Sequence, residues 1–151
     1  MSKNIAIALL SICLVTSVTY IFAIQKSAKI LQNLSREQSE YSELARTFTI
    51  EYNNMYRDKE HEDTAVLKDL CTEELWQNYF ADAHPSVELP DKLEINTNNI
   101  EEIVCQVAVT GAKVVVYGSQ TFEYNSYRFV YLIQLDSNKK VSAFNILMYS
   151  E

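Results

Sequence analysis

Residues with the chemistry to act on a substrate are few and scattered. His61 lies in the run Arg57-Asp58-Lys59-Glu60-His61-Glu62-Asp63, whose imidazole and carboxylates suggest a metal site at first glance. Adjacent positions in a charged loop cannot all turn toward one ion, so the run reads as a solvated turn. His84 is the only other imidazole, with Asp82 nearby. Ser-His-Asp or Cys-His catalysis would need one of these histidines beside a nucleophile, and nothing in the order of residues arranges that. Tyr52, Tyr56, Trp76 and Tyr79 could line a pocket, with Asp82 or His84 at its rim. Aromatic residues at helical spacing more often fill a core. No catalytic, metal-binding or cofactor-binding residue is assigned, and no cofactor is expected.

The glycines narrow the choice further. Gly111 and Gly118 are the only two, which excludes Gly-rich phosphate loops and dinucleotide fingerprints. Of three cysteines, Cys13 falls in an apolar run, leaving Cys71 and Cys105. Those two read as buried thiols packing as small hydrophobes, with a single disulfide as the alternative if the domain is exported.

The elements that would position these residues begin with a stretch made for lipid. Ile5 to Ile24 is twenty residues without a charge. About 20 apolar residues cross a bilayer's hydrocarbon core, and a helix satisfies its own backbone there. Tyr20 falls at headgroup level, followed by Lys26 and Lys29 as interfacial anchors. A cleaved signal peptide is the competing reading. The run exceeds an h-region of roughly 7–15 residues, and Ile21-Phe22-Ala23 places a bulky residue in the cleavage motif. Cleavage after Val15-Thr16-Ser17 is passable but would leave an apolar end, so an uncleaved anchor is preferred. Ile12 is too large for a lipobox before Cys13. A pilin-like protein is a lesser alternative, since the small residue and the glutamate that pilins place around their apolar run are missing. Counting Lys26, Lys29 and Arg36 against Lys3 favours a cytoplasmic C-terminal side. The short tail with one lysine has instead the look of a bacterial protein whose C-terminal domain is exported, and that orientation is adopted.

The expected organisation is a tail over 1–4, a transmembrane helix over 5–24, a stalk helix over 25–43 and a soluble α+β domain over 44–151. Lys3 is the one charged residue before Gln25, so the remainder carries 12 basic and 20 acidic residues, a net of −8. Such a balance repels a duplex, and no basic block offers an exception, so nucleic acid is not an expected partner.

Leu34, Tyr41, Phe48 and Met55 stand one heptad apart, which predicts a helix continuing to about Tyr56. Ile30, Leu31 and Leu34 are candidates for self-association. Asp63 or Thr64 can cap a short helix carrying Val66, Leu67 and Leu70. Thr72 caps another, whose buried face is Leu75, Trp76, Tyr79 and Phe80. Pro85 and Pro90 mark a loop. After Asp91 the period becomes two, with Ile103, Cys105, Val107 and Val109 alternating with Glu102, Val104, Gln106 and Ala108. A turn at Thr110-Gly111, a short strand over Val114 to Tyr117, a long one within Phe122 to Leu135 and a hairpin into Val141 to Tyr149 complete an antiparallel sheet. Phe129, Tyr131 and Ile133 point one way, Val130 and Leu132 the other; Phe144, Ile146 and Met148 oppose Ala143 and Leu147. One face packs on the helices. The other is either buried within the domain, the reading adopted, or a contact surface to which Val130 and Leu132 contribute.

The stretch EYNNMYRDKEHEDTAVLKDLCTEELWQNYF resembles the helical opening of the nuclear-transport-factor-two-like fold. A long helix ends in paired aromatics, a short helix follows, and Thr-Glu-Glu-Leu-Trp starts the third. With the N-terminal apolar run, the layout is similar to the bitopic scaffold subunits of type IV secretion and conjugation machines. The resemblance covers roughly Leu44 to Glu151 and rests on layout. It implies a cone-like fold of helices on a curved antiparallel sheet, held outside the cytoplasmic membrane, forming homo-oligomers and recruiting other subunits. The same fold also houses ligand-binding and enzymatic cones, which is the alternative function.

Overall fold

The computed structural model describes residues 3–55, 65–80, 95–122 and 125–150. Its elements are α1 (Lys3–Met55), α2 (Ala65–Leu70), α3 (Glu73–Leu75) running into a π-helical turn (Trp76–Phe80), then β1 (Ile95–Ala108), β2 (Gly111–Phe122), β3 (Asn125–Asp136) and β4 (Val141–Ser150). The strands form one curved antiparallel sheet in the order β1-β2-β3-β4. The protein is therefore α+β, with a long N-terminal helix.

The chain divides into two units, Met1–Glu37 and Gln38–Glu151. The described part of the first is helical, with Ile30, Leu31 and Leu34 exposed. Among the described residues no helix is long and apolar enough to cross a membrane. Ile5 to Val15, more than half of the uncharged run, lie outside the residues whose side chains are described.

The second unit begins at Gln38, and Tyr41 is already part of its core. Along α1 the buried positions are Tyr41, Ala45, Phe48, Thr49, Tyr52 and Asn53, a single stripe at helical spacing. Against it lies the inner face of the sheet: Ala112, Val114 and Val116 from β2, Phe129, Tyr131, Ile133 and Leu135 from β3, and Val141 and Phe144 from β4. Phe144 is the hub. Its ring stands 5.2 Å from Phe48, 4.6 Å from Tyr52 and 5.2 Å from Tyr131, in edge-on and tilted arrangements that aromatic quadrupoles favour.

Local chemistry explains the connections. Gly111, at φ +135°, closes the β1–β2 hairpin, where a Cβ would sit 1.9 Å from the Leu135 carbonyl oxygen. The Asp136 carboxylate accepts from the Asn138 and Lys140 amides at 2.9 Å each, building the β3–β4 turn. Lys139 and Lys140 from that turn donate to the Glu40 carboxylate and the Asp69 carbonyl, so the turn holds α1 and α2. Thr72 Oγ1 accepts from the Leu75 amide at 3.3 Å, capping α3 as its sequence predicts.

Several expectations need correction. Val109 is fully exposed in the turn rather than continuing β1. β2 runs twelve residues, not four, because Gly118 admits the Phe129 ring and lets the ladder continue. Tyr79 is half exposed: the wider π-helical turn, with i to i+5 spacing, puts Leu75 and Phe80 on one side and rotates Tyr79 outward. Met148 does not share a side with Phe144, whereas Ile146, paired with the inward-facing Tyr131, does but is 46% exposed. A bulge pairs Val130 with Met148 but Tyr131 with Ile146, leaving Leu147 as the extra residue, and an extra residue inverts the alternation. The charged run 57–63, the caps Asp63 and Thr64, and the prolines at 85 and 90 lie outside the described residues.

At Gly118 a Cβ would meet the Phe129 ring at 2.4 Å and the Asn99 carbonyl at 2.5 Å. We expect Gly118→Ala to destabilise the fold by about 1–3 kcal/mol, read as a lowered urea midpoint with an unchanged slope.

Candidate functional site

Two regions could carry function: the interior between α1 and the sheet, and the sheet's other face. The interior holds the residues proposed from sequence as a pocket lining. Tyr52 is buried in it, its ring 5.6 Å from Tyr131 and 6.3 Å from Phe80. Trp76 is half buried, 5.8 Å from Phe80, with the Lys68 ammonium 5.9 Å from its ring. Tyr79 packs on Phe80 and Phe144 from the outside. Tyr56, Asp82, His61 and His84 lie outside the described residues. The described members thus come together as parts of one ring cluster, and the space they were expected to surround is filled by Phe48, Phe80 and Phe144.

One end of the interior is polar, which sequence reasoning missed. Tyr131 Oη donates to Asn53 Oδ1 at 3.0 Å; Asn53 Nδ2 donates to Asn98 Oδ1 at 3.4 Å; Asn98 Nδ2 donates to Asn54 Oδ1 at 3.3 Å. Buried Gln120 accepts from Tyr149 Oη at 3.2 Å, and Tyr149 stacks on Tyr127. Every buried side-chain polar atom among the described residues has a partner. Amides and phenols satisfied in this way fix register between α1, β1 and β3. The available signal was Asn53, which with Thr49 is polar on the buried stripe of a largely apolar helix face.

The thiols are structural. Cys71 and Cys105 are free. Cys105 lies on β1 and Cys71 bridges to Val141 on β4, the opposite edge of the sheet. Three strand spacings, about 14 Å, separate β1 from β4, too far for a disulfide. Burial pushes the Cys71 thiol up to about 12, against a smaller opposing pull from Lys140. Burial raises Cys105 as well, with a Ser42 hydrogen bond opposing. Neither is poised as a nucleophile.

The outer face of the sheet is a different surface. Cross-strand pairing sets its rows: Gln106, Lys113, Gln134 and Ala143; then Val104, Val115, Leu132 and Asn145; then Glu102, Tyr117, Val130 and Met148; then Asn99, Ser119, Arg128 and Ser150. The two middle rows are apolar in six of eight positions and the outer two are largely polar. Val104 is 49% exposed, Met148 44% and Leu147 58%, while Val115, Val130 and Leu132 are half buried by their neighbours. Burial of this face within the domain was the expectation. It is instead an accessible apolar patch with a polar rim, as at contact sites between proteins. A depression of about 360 Å³ opens at its first row, lined by Gln106, Lys113, Gln134 and Asp136 among others.

No family model, curated protein or solved structure matches this chain. Among the described residues no group of His, Cys, Asp and Glu could hold a metal ion.

The Cys71 thiol gives a pH dependence with a defined sign. Its folded pKa lies above the ordinary 9.0, so its contribution is intact below about pH 9 and is lost as pH rises toward about 12. We expect the urea midpoint of the protein to fall between pH about 8 and about 10 by more than that of Cys71→Ala. Equal falls in both would show that the thiol does not ionise against the fold.

Proposed function

We propose that this protein is a membrane-anchored scaffold that works through protein-protein contacts, as a subunit of a type IV secretion or conjugative transfer complex. The observation that carries the reading is the division of the sheet into two apolar faces. The inner one is filled by α1 and the ring cluster, and the outer one is open along Val104, Val115, Tyr117, Val130, Leu132 and Met148. A ligand-binding or catalytic cone needs room and convergent polar groups inside. Here Phe48, Tyr52, Phe80, Tyr131 and Phe144 occupy that room.

The uncharged run Ile5 to Ile24 supplies the anchor, and the α+β layout after it is read as the cone-like domain of the resemblance. The domain lies on the outer side of the cytoplasmic membrane, tethered as a single-pass protein, and contacts copies of itself and other subunits. Ile30, Leu31 and Leu34 offer a second apolar surface on the helix.

Two measurements test this. A reporter active only outside the cytoplasm, fused after Glu151, is expected to be active. In the host, Leu132→Lys is expected to fold and accumulate normally yet to abolish most secretion or conjugative transfer, because a charge then sits in the contact. Normal transfer by a folded Leu132→Lys protein would sink the scaffold reading.

A further inference from the structure

The depression of about 360 Å³ at the turn end of the outer face owes its shape to the residues beneath it. The last row of that face is Ala108, Gly111 and Asp136, paired across β1, β2 and β3. Two of its three places carry a methyl group or no side chain. Gly111 admits nothing larger, since at φ +135° a Cβ would stand 1.9 Å from the Leu135 carbonyl oxygen. The row before it, Gln106, Lys113 and Gln134, carries long polar side chains. A short floor is therefore bordered by long walls, and the hairpin geometry keeps it short.

The walls hold polar groups that the fold does not use. Among the described residues, the Lys113 ammonium and the Gln106 and Gln134 side-chain amides have neither a hydrogen-bond nor an ion-pair partner. Asp136 receives the Asn138 and Lys140 amides on Oδ1 alone, which leaves Oδ2 free among those residues. Lys113 faces Gln134 while Asp136 faces Gly111, so the two charges stand on a diagonal, roughly 7–8 Å apart at the backbone. They form no ion pair with each other. Each keeps its capacity for something that enters between them.

The balance of groups selects the ligand. A simple anion is opposed by Asp136 and by the domain's acidic excess. A simple cation is opposed by Lys113. Flat or sugar rings want an aromatic face to lie on, and no aromatic residue lines the depression. A molecule with one ammonium and one carboxylate satisfies both charges at once. Beside the walls runs the apolar row Val104, Val115 and Leu132, which can cover a short hydrocarbon side chain.

We propose that this depression binds a free α-amino acid with an apolar side chain. Its carboxylate accepts from the Lys113 ammonium, its ammonium donates to Asp136 Oδ2, and its side chain lies over Val104 and Leu132. The Gln106 and Gln134 amides serve the remaining lone pairs and protons. Charge-assisted hydrogen bonds at both ends fix its orientation. The site is open to water, which screens the two ion pairs, so the dissociation constant is on the order of 1 mM. The site is separate from the filled interior and needs no partner subunit.

The test follows backbone amide shifts of isotope-labelled full-length chain in detergent micelles, titrated with leucine, N-acetylleucine, leucinamide or glycine. Leucine is expected to shift the Gly111, Lys113 and Asp136 amides saturably. The other three lack the ammonium, the carboxylate or the side chain, and each is expected to bind roughly 10-fold more weakly. Lys113→Gln and Asp136→Asn are each expected to weaken leucine by a similar factor. Asp136→Asn keeps an oxygen for the Asn138 and Lys140 amides, and unchanged shifts elsewhere show that both variants are folded. Lys113→Gln is expected to lose the preference for leucine over leucinamide, and Asp136→Asn the preference over N-acetylleucine, as paired groups require. No saturable shift with leucine at about ten times the expected constant would overturn the proposal. So would equal binding of all four probes, preferences that survive both substitutions, or N-acetylleucine binding as well as leucine, which would mark an anion site instead.

Discussion

The packing of Phe144 against Phe48, Tyr52 and Tyr131 is the constraint on which the second unit depends. These four rings come from one helix and two adjacent strands, with centroids 4.6 to 5.6 Å apart in most of their contacts. Their mutual contact sets the depth at which α1 lies on the sheet. Phe80 then closes the cluster from the π-helical turn, 6.4 Å from Phe48. Among the described residues these rings occupy the space between α1 and the sheet.

The polar groups follow the same logic. Where the rings stop, Asn53, Asn98, Gln120 and the hydroxyls of Tyr131 and Tyr149 bond one another. An unsatisfied buried amide costs about 1–3 kcal/mol, so such a set is stable in one register and costly in any other. It locates α1 along its own axis, which ring packing alone does less well. The Lys139 and Lys140 contacts to Glu40 and Asp69 hold the other end of the sheet. The part of α1 that packs on the sheet is thus held at Glu40 and at Asn53.

Much of the architecture was legible in the residues. The heptad spacing of Tyr41 and Phe48, the Thr72 cap, the hairpin at Asp136 and the alternation of Phe129, Tyr131 and Ile133 all depend on neighbours in the chain, and all appear as read. The departures have a common cause. The turn at Val109, the length of β2 and the side taken by Met148 are decided by partners across the sheet: the Gly118–Phe129 contact and the bulge at Leu147. Period-two reasoning assumes an uninterrupted ladder and inverts after any inserted residue. The Asn53–Asn98–Tyr131 set was invisible for a similar reason, since its members are up to 78 residues apart.

The sequence by itself determined the α+β class, the antiparallel order, the uncharged N-terminal run and the scarcity of catalytic groups, because each depends on local spacing or composition. The tertiary structure alone decided that the aromatic residues close the interior rather than line a pocket. It also decided that Cys71 and Cys105 stand on opposite edges of the sheet. Finally, it decided that Lys113 and Asp136 share one face with an apolar centre. Strand register makes that last assignment, and register is a property of pairs distant in the chain.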